Sequence, residues 1–137
     1  MILRMWSDII PLSFILPGQL PQLKEYCAQQ SSSEHLWIVK PPNGNSGHGI
    51  QVVDNVQSLN TKEEMIVQKY ISKPYLINGH KFDLRLYVLI TSLEPLIVYL
   101  YGDGLVRFAT QPYTNNPDKL QDKFIHLTNF AVNKVWS

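Results

Sequence analysis

The stretch Lys81-Phe82-Asp83-Leu84-Arg85-Leu86-Tyr87 alternates charged and apolar side chains, and the fold we predict follows from it. Successive side chains of a strand point to opposite faces, so Lys81, Asp83 and Arg85 share one face and the apolar residues share the other. At about 3.3 Å per residue, the three charges span about 13 Å, which is roughly the reach of a triphosphate with its metal. Because the apolar run continues to Ile90, we predict a central strand over 82–90 that enters the core from a charged cleft. The alternative is a solvent-exposed charge ladder.

Short apolar runs bounded by glycine, proline or polar residues predict the remaining strands. These runs are 14–16, 37–40, 50–53, 65–71, 96–101 and 105–109. Gly102-Asp103-Gly104 lies between the last two runs and predicts a hairpin that pairs them. A helix is predicted over 22–30 behind Pro21, with loops over 72–80 and 111–123. The pattern predicts an α+β fold of mostly antiparallel hairpins with a few helices.

Composition limits the classes of function. The chain has 137 residues, of which 45% are hydrophobic and 17% charged, which fits one globular domain. We expect residues 1–8 to form an N-terminal extension and 9–137 the domain. A net charge of +1 gives no field that would attract nucleic acid or an anionic membrane, so neither is predicted as a partner. Cys27 is the single cysteine, which favours a reducing compartment such as the cytoplasm.

A glycine loop over 43–49 follows the predicted strand that ends at Lys40. Glycines such as Gly47 and Gly49 let backbone N–H groups approach phosphate oxygens, and Lys40 adds a cation. The loop lacks the Gly-Lys-Ser/Thr of a P-loop, and its glycine spacing differs from the dinucleotide-binding fingerprint. A strand follows it, which places the loop at the tip of a hairpin. The alternative is an ordinary turn.

Three further segments carry polar side chains with a possible role in binding. The alternating run Val67–Ile71 can offer backbone groups to an adenine edge, or it is a simple amphipathic strand. Arg107 can form a fork onto a phosphate or carboxylate, or it is a solvent-exposed hairpin charge. Thr128 and Asn129 offer polar groups near the end of the chain, or they only cap and turn it. His126 has no histidine or cysteine partner at metal-ligand spacing, so no metal site is predicted in this chain.

Taken together, these segments resemble the tubulin tyrosine ligase-like family of ATP-grasp ligases. The matching blocks occur in the order of the family and cover about nine-tenths of the chain. They are 14–17, 37–42, 47–51, 67–71, 73–77, 81–88, 104–109, 126–129 and 132–134. The Lys-Pro-Pro, Gly-Ile-Gln-Val-Val and Lys-Pro-Tyr-Leu-Ile runs look most like the glutamate-adding branch, especially its tubulin polyglutamylase-4-like members.

The resemblance implies roles for individual residues. Nucleotide binding is implied for Lys40, Gly47, Gly49, Gln68, Lys69, Tyr70, Ile71, Lys81 and Asp83. Catalytic roles are implied for Lys81, Arg85 and Arg107. Binding of the amino-acid substrate is implied for Arg107, Thr128 and Asn129. The ligands of Mg²⁺ are expected beyond Ser137, so the resemblance implies an ATP-grasp domain that is incomplete at both ends.

The resemblance also implies a reaction and its partners. ATP would activate a glutamate carboxylate in an acidic tubulin tail as an acyl phosphate, and the amine of free glutamate would attack it. Tubulin or microtubules would be the partners, in the cytoplasm, on the cytoskeleton, or at a cilium or basal body. The 137-residue chain alone is not expected to turn over. Two alternatives stay open: an inactive chain that binds nucleotide or tubulin, and a ligase that uses glycine or tyrosine.

Overall fold

The computed structural model describes residues 9–30, 36–43, 47–59 and 62–134. The predicted extension over 1–8 and residues 44–46 of the glycine loop lie outside these ranges. The described strands are β1 (Ser13–Leu16), β2 (Trp37–Lys40), β3 (Gln51–Val53), β4 (Met65–Lys69), β5 (Leu76–Ile77), β6 (His80–Arg85), β7 (Val88–Leu93), β8 (Leu96–Leu100) and β9 (Leu105–Phe108). The described helices are Leu20–Gln29, Lys123–His126 and Phe130–Asn133, with 3₁₀ turns at Val56–Ser58 and Pro117–Lys119.

Strands β1 to β4 form one antiparallel sheet in the order β1-β4-β2-β3. Strands β2 and β3 pair directly, with Trp37 opposite Val53, so the predicted hairpin around the glycine loop is confirmed. The helix Leu20–Gln29 begins two residues before the predicted start. Proline is tolerated in the first helical turn, where its missing N–H has no partner to lose, so Pro21 does not delay the helix.

One face of this sheet is apolar and packs against the helix Leu20–Gln29. The alternation of buried and half-buried residues along β2 and β4 sends every second side chain to this face. The buried cluster consists of Phe14, Leu16, Leu23, Trp37, Val39, Val53, Met65 and Val67. Burying one such side chain contributes about 1.5–3 kcal/mol, so this layer holds the sheet and the helix together.

The opposite face of the sheet, here called the polar face because it carries Ser13, Lys40 and Gln68, also has apolar residues, and these cover a smaller core. Val52, Tyr70 and Leu120 form this second buried cluster. Leu120 comes from the segment 111–123, which was predicted to be a surface loop. That prediction is wrong at Leu120, which is 5% exposed and packs beneath the sheet. The C-terminal part of the chain therefore lies against the polar face of the first sheet.

The predicted central strand over 82–90 is wrong in two respects. The chain leaves extended pairing at Leu86 and Tyr87, which separates β6 from β7. Strand β7 does not enter the core either, because Val88, Leu89 and Ile90 are all exposed. Strand β6 instead pairs with β5 and β9 in a three-stranded antiparallel sheet, and β7 pairs with β8 in a separate hairpin.

The predicted hairpin around Gly102-Asp103-Gly104 is also wrong in its pairing. The strands on either side exist, but β8 pairs with β7 and β9 pairs with β6. The loop predicted over 72–80 contains the short strand β5, which returns through Gly79 to β6. Two connections could make a hairpin with β8: the two residues between β7 and β8, and the longer segment between β8 and β9. Strand pairing over the whole chain selects the first. The α+β class with mostly antiparallel strands is confirmed.

None of the helices in the described ranges is long and apolar enough to cross a membrane.

Candidate functional site

Lys40 lies at the end of β2 on the polar face of the first sheet. Its Nζ donates a hydrogen bond of 2.7 Å to Oε1 of Gln68 on the neighbouring strand β4. The Gln68 amide in turn donates to Oγ of Ser13 across 2.8 Å. Cross-strand pairing explains this series of hydrogen bonds, because Ser13 lies opposite Gln68 in the β1–β4 register. Burial lowers the pKa of Lys40, yet the hydrogen bond fixes its ammonium in place.

Lys81 extends from β6 and meets both the first sheet and the C-terminal segment. Its Nζ donates to the hydroxyl of Tyr70 at 3.1 Å and to the carbonyl oxygen of His126 at 2.9 Å. The same atom lies 4.6 Å from the centre of the Tyr70 ring. Burial lowers the pKa of Lys81 to about 8, with a contribution from the nearby positive charge of Lys40, against the opposing effect of Asp83. Two cations from different sheets therefore lie close enough to influence one another.

Asp83 forms the anionic centre beside the two lysines. The Arg107 guanidinium donates to both carboxylate oxygens, with Nε 2.7 Å from Oδ1 and Nη2 bonded to Oδ2. The Thr128 hydroxyl donates to Oδ2 at 2.8 Å. Burial raises the pKa of Asp83, but the hydrogen bonds from Arg107 and Thr128 and the charges of Arg107 and Lys81 outweigh it and lower the pKa. The carboxylate thus stays ionised and joins β6, β9 and the C-terminal segment.

The described part of the glycine loop packs against the C-terminal helix Phe130–Asn133. Gly47 has a φ of +85°, and an added Cβ there would lie 2.7 Å from a methyl group of Val132 and 3.5 Å from the Asn129 amide. Gly49 has a φ of +71°, and a Cβ there would lie 2.9 Å from Pro41. Both positions require glycine, because a left-handed backbone and a close neighbour coincide. The described end of the loop therefore lies against the C-terminal segment whose His126 carbonyl accepts from Lys81. The region between Lys40, Lys81 and this segment is the candidate cleft.

The structure brings some of the predicted site residues together and leaves others apart. Lys40, Gln68, Tyr70, Lys81, Asp83, Arg107, Thr128, Asn129 and Gly47 lie in one connected region. Arg85 is exposed at the end of β6, with its guanidinium 5.8 Å from the Tyr87 ring. The Lys69 side chain is exposed, and its backbone N–H donates to the Leu12 carbonyl. Ile71 is 59% exposed.

Several residues of this region were not assigned a role from the sequence. Ser13 orients Gln68, and the Tyr113 ring packs edge-on against the His126 ring at 5.8 Å. The Asn133 amide bonds the carbonyls of Leu127 and Asn129. The alternation Ser13–Phe14–Ile15–Leu16 was a usable signal for Ser13, since its polar residue precedes a buried run. The Tyr113 contact joins separate segments of the chain and had no local signal. The Asn133 amide bonds carbonyls only four and six positions earlier, and nothing in the sequence pattern marked it.

The side chains of the cleft suit a polyphosphate better than a metal ion. Two fixed ammonium groups beside a glycine loop fit a polyphosphate, which needs cations and backbone donors without a blocking Cβ. The residues described contain no group of three or more His, Cys, Asp or Glu side chains that could hold a metal ion. Their donor set therefore fits ATP, and we assign no metal ligand within it.

The chain has relatives among known proteins. The model of the tubulin-tyrosine ligase family matches residues 3–137. Mouse tubulin monoglutamylase TTLL4 is 51% identical over 127 residues, which is 93% of this chain and 10% of the relative. Human tubulin polyglutamylase TTLL5 is 42% identical over 92% of the chain and 10% of its own length. Human tubulin polyglutamylase TTLL7 is 43% identical over 91% of the chain and 14% of its own length. The chain thus spans about a tenth of the length of these relatives.

A solved structure shares the fold. The C-terminal domain of K. lactis Pby1, described as an ATP-grasp enzyme that interacts with the mRNA decapping enzyme Dcp2, aligns with a TM-score of 0.50 and 24% identity. The alignment covers 82% of this chain and 35% of that one. At this identity the likeness shows the fold alone, and it confirms the ATP-grasp-like class predicted from the sequence.

Proposed function

Because this chain belongs to the tubulin-tyrosine ligase family, we propose that it forms the nucleotide-binding part of an ATP-dependent ligase that adds glutamate to tubulin. The observation that carries the proposal is that Lys40 and Lys81, from two different sheets, bond the side chains of Gln68 and Tyr70, which lie two positions apart. Each lysine lies in the field of the other. The cleft cations supply what phosphoryl transfer needs from a protein, which is positioning and neutralisation of charge.

In the proposed complex the two lysines hold the phosphates of ATP. Lys40 and Lys81 repel one another in the free cleft, since each lies in the field of the other and both are partly buried. A polyphosphate removes that repulsion, so its binding gains from both charges. Gly47 and Gly49 let the loop backbone approach the phosphates. The segment Gln68–Ile71 lies alongside for the base, with Lys69 and Ile71 on its exposed side.

The amino-acid substrate is placed at the other end of the charged face. Arg107, Thr128 and Asn129 border this region, and Arg85 lies exposed beyond it. In the described contacts Arg107 and Thr128 both bind Asp83, which holds them in a fixed relation. We propose that the Arg107 N–H groups that do not bond Asp83, together with the Asn129 amide, receive the carboxylate of free glutamate, with Arg85 toward the acidic tubulin tail.

The proposed reaction has two steps in which atoms and charges balance. A side-chain carboxylate oxygen of a tubulin glutamate takes the γ-phosphoryl group of ATP, and ADP leaves. The neutral amine of free glutamate then attacks the acyl carbon and the bond from this carbon to the phosphate oxygen breaks. Inorganic phosphate leaves with that oxygen and takes up the proton that the amine loses, and an isopeptide bond remains. The cleft residues orient the reactants and exclude water from them. Mg²⁺ would be held by groups other than those described.

The remaining features of the proposal follow from the same assignment. Residues 9–137 are proposed to be part of an ATP-grasp domain, preceded by the extension 1–8. The proposed place of action is the cytoplasm and the cytoskeleton, with a cilium or basal body as a specific site. The relatives include a monoglutamylase and polyglutamylases. The proposal therefore covers addition of a first glutamate and elongation.

ATP binding tests the nucleotide part of the proposal. The purified 137-residue chain is titrated with ATP, and binding is followed by calorimetry. Lys40→Ala is expected to lower the affinity for ATP at least about tenfold, because a charge-assisted contact is lost. Lys24→Ala removes the same charge from the exposed side of the helix Leu20–Gln29 and should leave affinity unchanged. A folded chain that fails to bind ATP would contradict the proposal.

Ligation is tested in a chimera in which residues 3–137 replace the matching segment of mouse TTLL4. The chimera is incubated with tubulin, ATP, Mg²⁺ and labelled glutamate, and mass spectrometry counts the glutamates added to each tail. Glutamate incorporation that is lost with Lys40→Ala and kept with Lys24→Ala supports the proposal. Parallel reactions with glycine and tyrosine decide the donor. A folded, ATP-binding chimera that ligates glycine or tyrosine in place of glutamate would overturn it.

A further inference from the structure

The buried side chains of Tyr70 and His126 form a chain of hydrogen bonds that ends on Lys81. The Tyr70 hydroxyl lies 2.9 Å from Nδ1 of His126 and accepts a hydrogen bond from Lys81 Nζ at 3.1 Å. Lys81 Nζ also donates to the backbone carbonyl of His126 at 2.9 Å. One lysine therefore contacts both residues, once through the hydroxyl and once through the backbone.

The direction of each hydrogen bond follows from the groups available. An ammonium group only donates, so the Tyr70 oxygen accepts from Lys81 and its own proton goes to His126. Nε2 of His126 lies 3.2 Å from the carbonyl oxygen of Lys119, which only accepts. We therefore assign the imidazole proton to Nε2, which leaves Nδ1 as the acceptor from Tyr70. Burial lowers the pKa of His126, which agrees with a neutral ring.

Packing holds this chain of hydrogen bonds rigid. Tyr70 is 6% exposed and His126 is 2% exposed. Their rings meet edge-on with centroids 5.7 Å apart, and the Tyr113 ring also packs edge-on against His126 at 5.8 Å. Side chains locked this way lose their rotamer freedom on folding and not on ligand binding. The Lys81 ammonium is consequently held in position before any ligand arrives.

We propose that Tyr70 and His126 are positioning residues for Lys81, whose ammonium they hold at the cleft while they fasten the segment 126–128 to β6. Through Lys81 they set the affinity of the cleft for the phosphates of a nucleotide. The inference rests on the proposed nucleotide binding and deepens it, because it assigns roles to two side chains that do not face the cleft themselves.

The charge state of Lys81 gives a direct measure of this role. The groups that face its ammonium are Asp83 on the same strand, Lys40 from β2, Tyr70 after β4 and the His126 carbonyl, while Arg107 acts on it through Asp83. The Tyr70 hydroxyl stabilises the charged form as an acceptor. Its removal leaves the burial in place and takes away the acceptor, so the pKa of Lys81 should fall below its value of about 8.

The deciding experiment compares Tyr70→Phe with Tyr113→Phe in the ligand-free chain. Both changes remove one hydroxyl from rings that pack against His126. The Tyr113 hydroxyl donates to the Ser72 carbonyl. It also interacts with the Tyr70 hydroxyl, so in the residues described it reaches Lys81 only through Tyr70. NMR titration of the lysine side-chain resonances, assigned with Lys81→Arg, gives the pKa of Lys81. Tyr70→Phe should lower this pKa clearly more than Tyr113→Phe, because Tyr70 bonds Lys81 directly and Tyr113 acts only through Tyr70.

ATP affinity provides the second readout. Tyr70→Phe is expected to weaken ATP binding about five- to tenfold, and Tyr113→Phe by less than about twofold. Thermal melts record the loss of stability in both variants. His126→Phe should act in the same direction as Tyr70→Phe. The double variant Tyr70→Phe with His126→Phe should lose less ATP affinity than the two single losses combined, because both residues act through one series of hydrogen bonds.

Each outcome decides the proposal. Equal effects of Tyr70→Phe and Tyr113→Phe on the pKa and on ATP binding would reduce both tyrosines to packing and overturn it. An unchanged or raised pKa of Lys81 in Tyr70→Phe would also overturn it. If the wild-type chain is folded and does not bind ATP, the nucleotide function fails, and the comparison of pKa values alone then decides whether Lys81 is positioned by this pair.

Discussion

At the scale of single residues, the two cleft lysines differ in what holds them. Lys40 is fixed by the Gln68 amide on the neighbouring strand, and Lys81 is fixed by a hydroxyl and a carbonyl. Both ammonium groups lose solvation, and the pKa of each is lowered mainly by burial. Their positive charge is therefore more easily lost than that of an exposed lysine, which makes binding of an anion sensitive to pH.

ATP affinity should fall as pH rises through the pKa of Lys81 at about 8. Below that pH the ammonium is charged and attracts phosphate, and above it the neutral amine does not. Lys81→Arg keeps its charge over this range, so the variant should lose the decline centred near pH 8. Titrations of both proteins with ATP between pH 6.5 and 9.5 measure this pH dependence of the affinity. An identical profile in wild type and Lys81→Arg would contradict the assignment.

The Gln68 side chain is predicted to orient Lys40, since both of its polar ends are in use. Its Oε1 accepts from Lys40 and its Nε2 donates to Ser13. Gln68→Leu keeps the approximate size and removes both bonds, so ATP should bind about three- to tenfold more weakly. Gln57→Leu, on the exposed 3₁₀ turn Val56–Ser58, is the matched control. Calorimetric titration that finds equal affinities in the two variants would rule out this role.

At the scale of elements, the glycine loop and the C-terminal helix Phe130–Asn133 are packed against each other. Gly47 and Gly79 both have positive φ, at +85° and +78°. Only Gly47 has a close neighbour, the Val132 methyl group, whereas nothing lies within 4 Å of a Cβ at Gly79. The pair separates the cost of backbone strain from the cost of a steric clash.

Gly79→Ala should cost about 1–2 kcal/mol of stability from backbone strain alone. Gly47→Ala should cost this amount plus about 1–3 kcal/mol, because the new methyl group pushes Val132 away. The double variant Gly47→Ala with Val132→Ala should recover part of the difference, since the obstructing methyl group is gone. Chemical unfolding monitored by circular dichroism measures all three. Equal losses in the two single variants would show that the loop does not pack on the helix.

At the scale of the whole molecule, β7 and β8 form a hairpin that is apolar on both faces. Leu89 and Tyr99 lie opposite each other and are 61% and 59% exposed. The patch also includes Val88, Ile90, Leu93, Leu96, Ile97, Val98 and Leu100. Apolar surface of this kind, on a hairpin whose strands pair only with each other, favours association with another apolar surface.

The isolated 137-residue chain should therefore associate with itself as its concentration rises. The double variant Leu89→Glu with Tyr99→Lys places opposite charges at a cross-strand pair and should shift the association to at least about tenfold higher concentration. Ile15→Lys also adds a charge at an exposed isoleucine, but on β1, and serves as the control. Sedimentation velocity over a concentration series measures the effect. A double variant that associates as strongly as Ile15→Lys would place the contact elsewhere.

The sequence by itself determined the strands of the first sheet, the hairpin around the glycine loop and the alternation that puts Lys81 and Asp83 on one face. These features depend on side-chain alternation and turn residues within about ten positions, and both are visible in the sequence. The ordered sequence blocks also identify the tubulin-tyrosine ligase family without any knowledge of tertiary contacts. The bounds of these strands differ from the predicted ones by one or two residues only.

Tertiary structure decided the pairing of β7 with β8 and of β6 with β9, and the sequence favoured the wrong hairpin because Gly102-Asp103-Gly104 is a strong local turn signal. It also decided that Lys81 meets Tyr70 and His126, and that Asp83 joins Arg107 to Thr128. His126 and Lys81 are 45 residues apart in the chain. Contacts over such separations arise from the summed pairing and burial of the whole chain, and local patterns do not encode them.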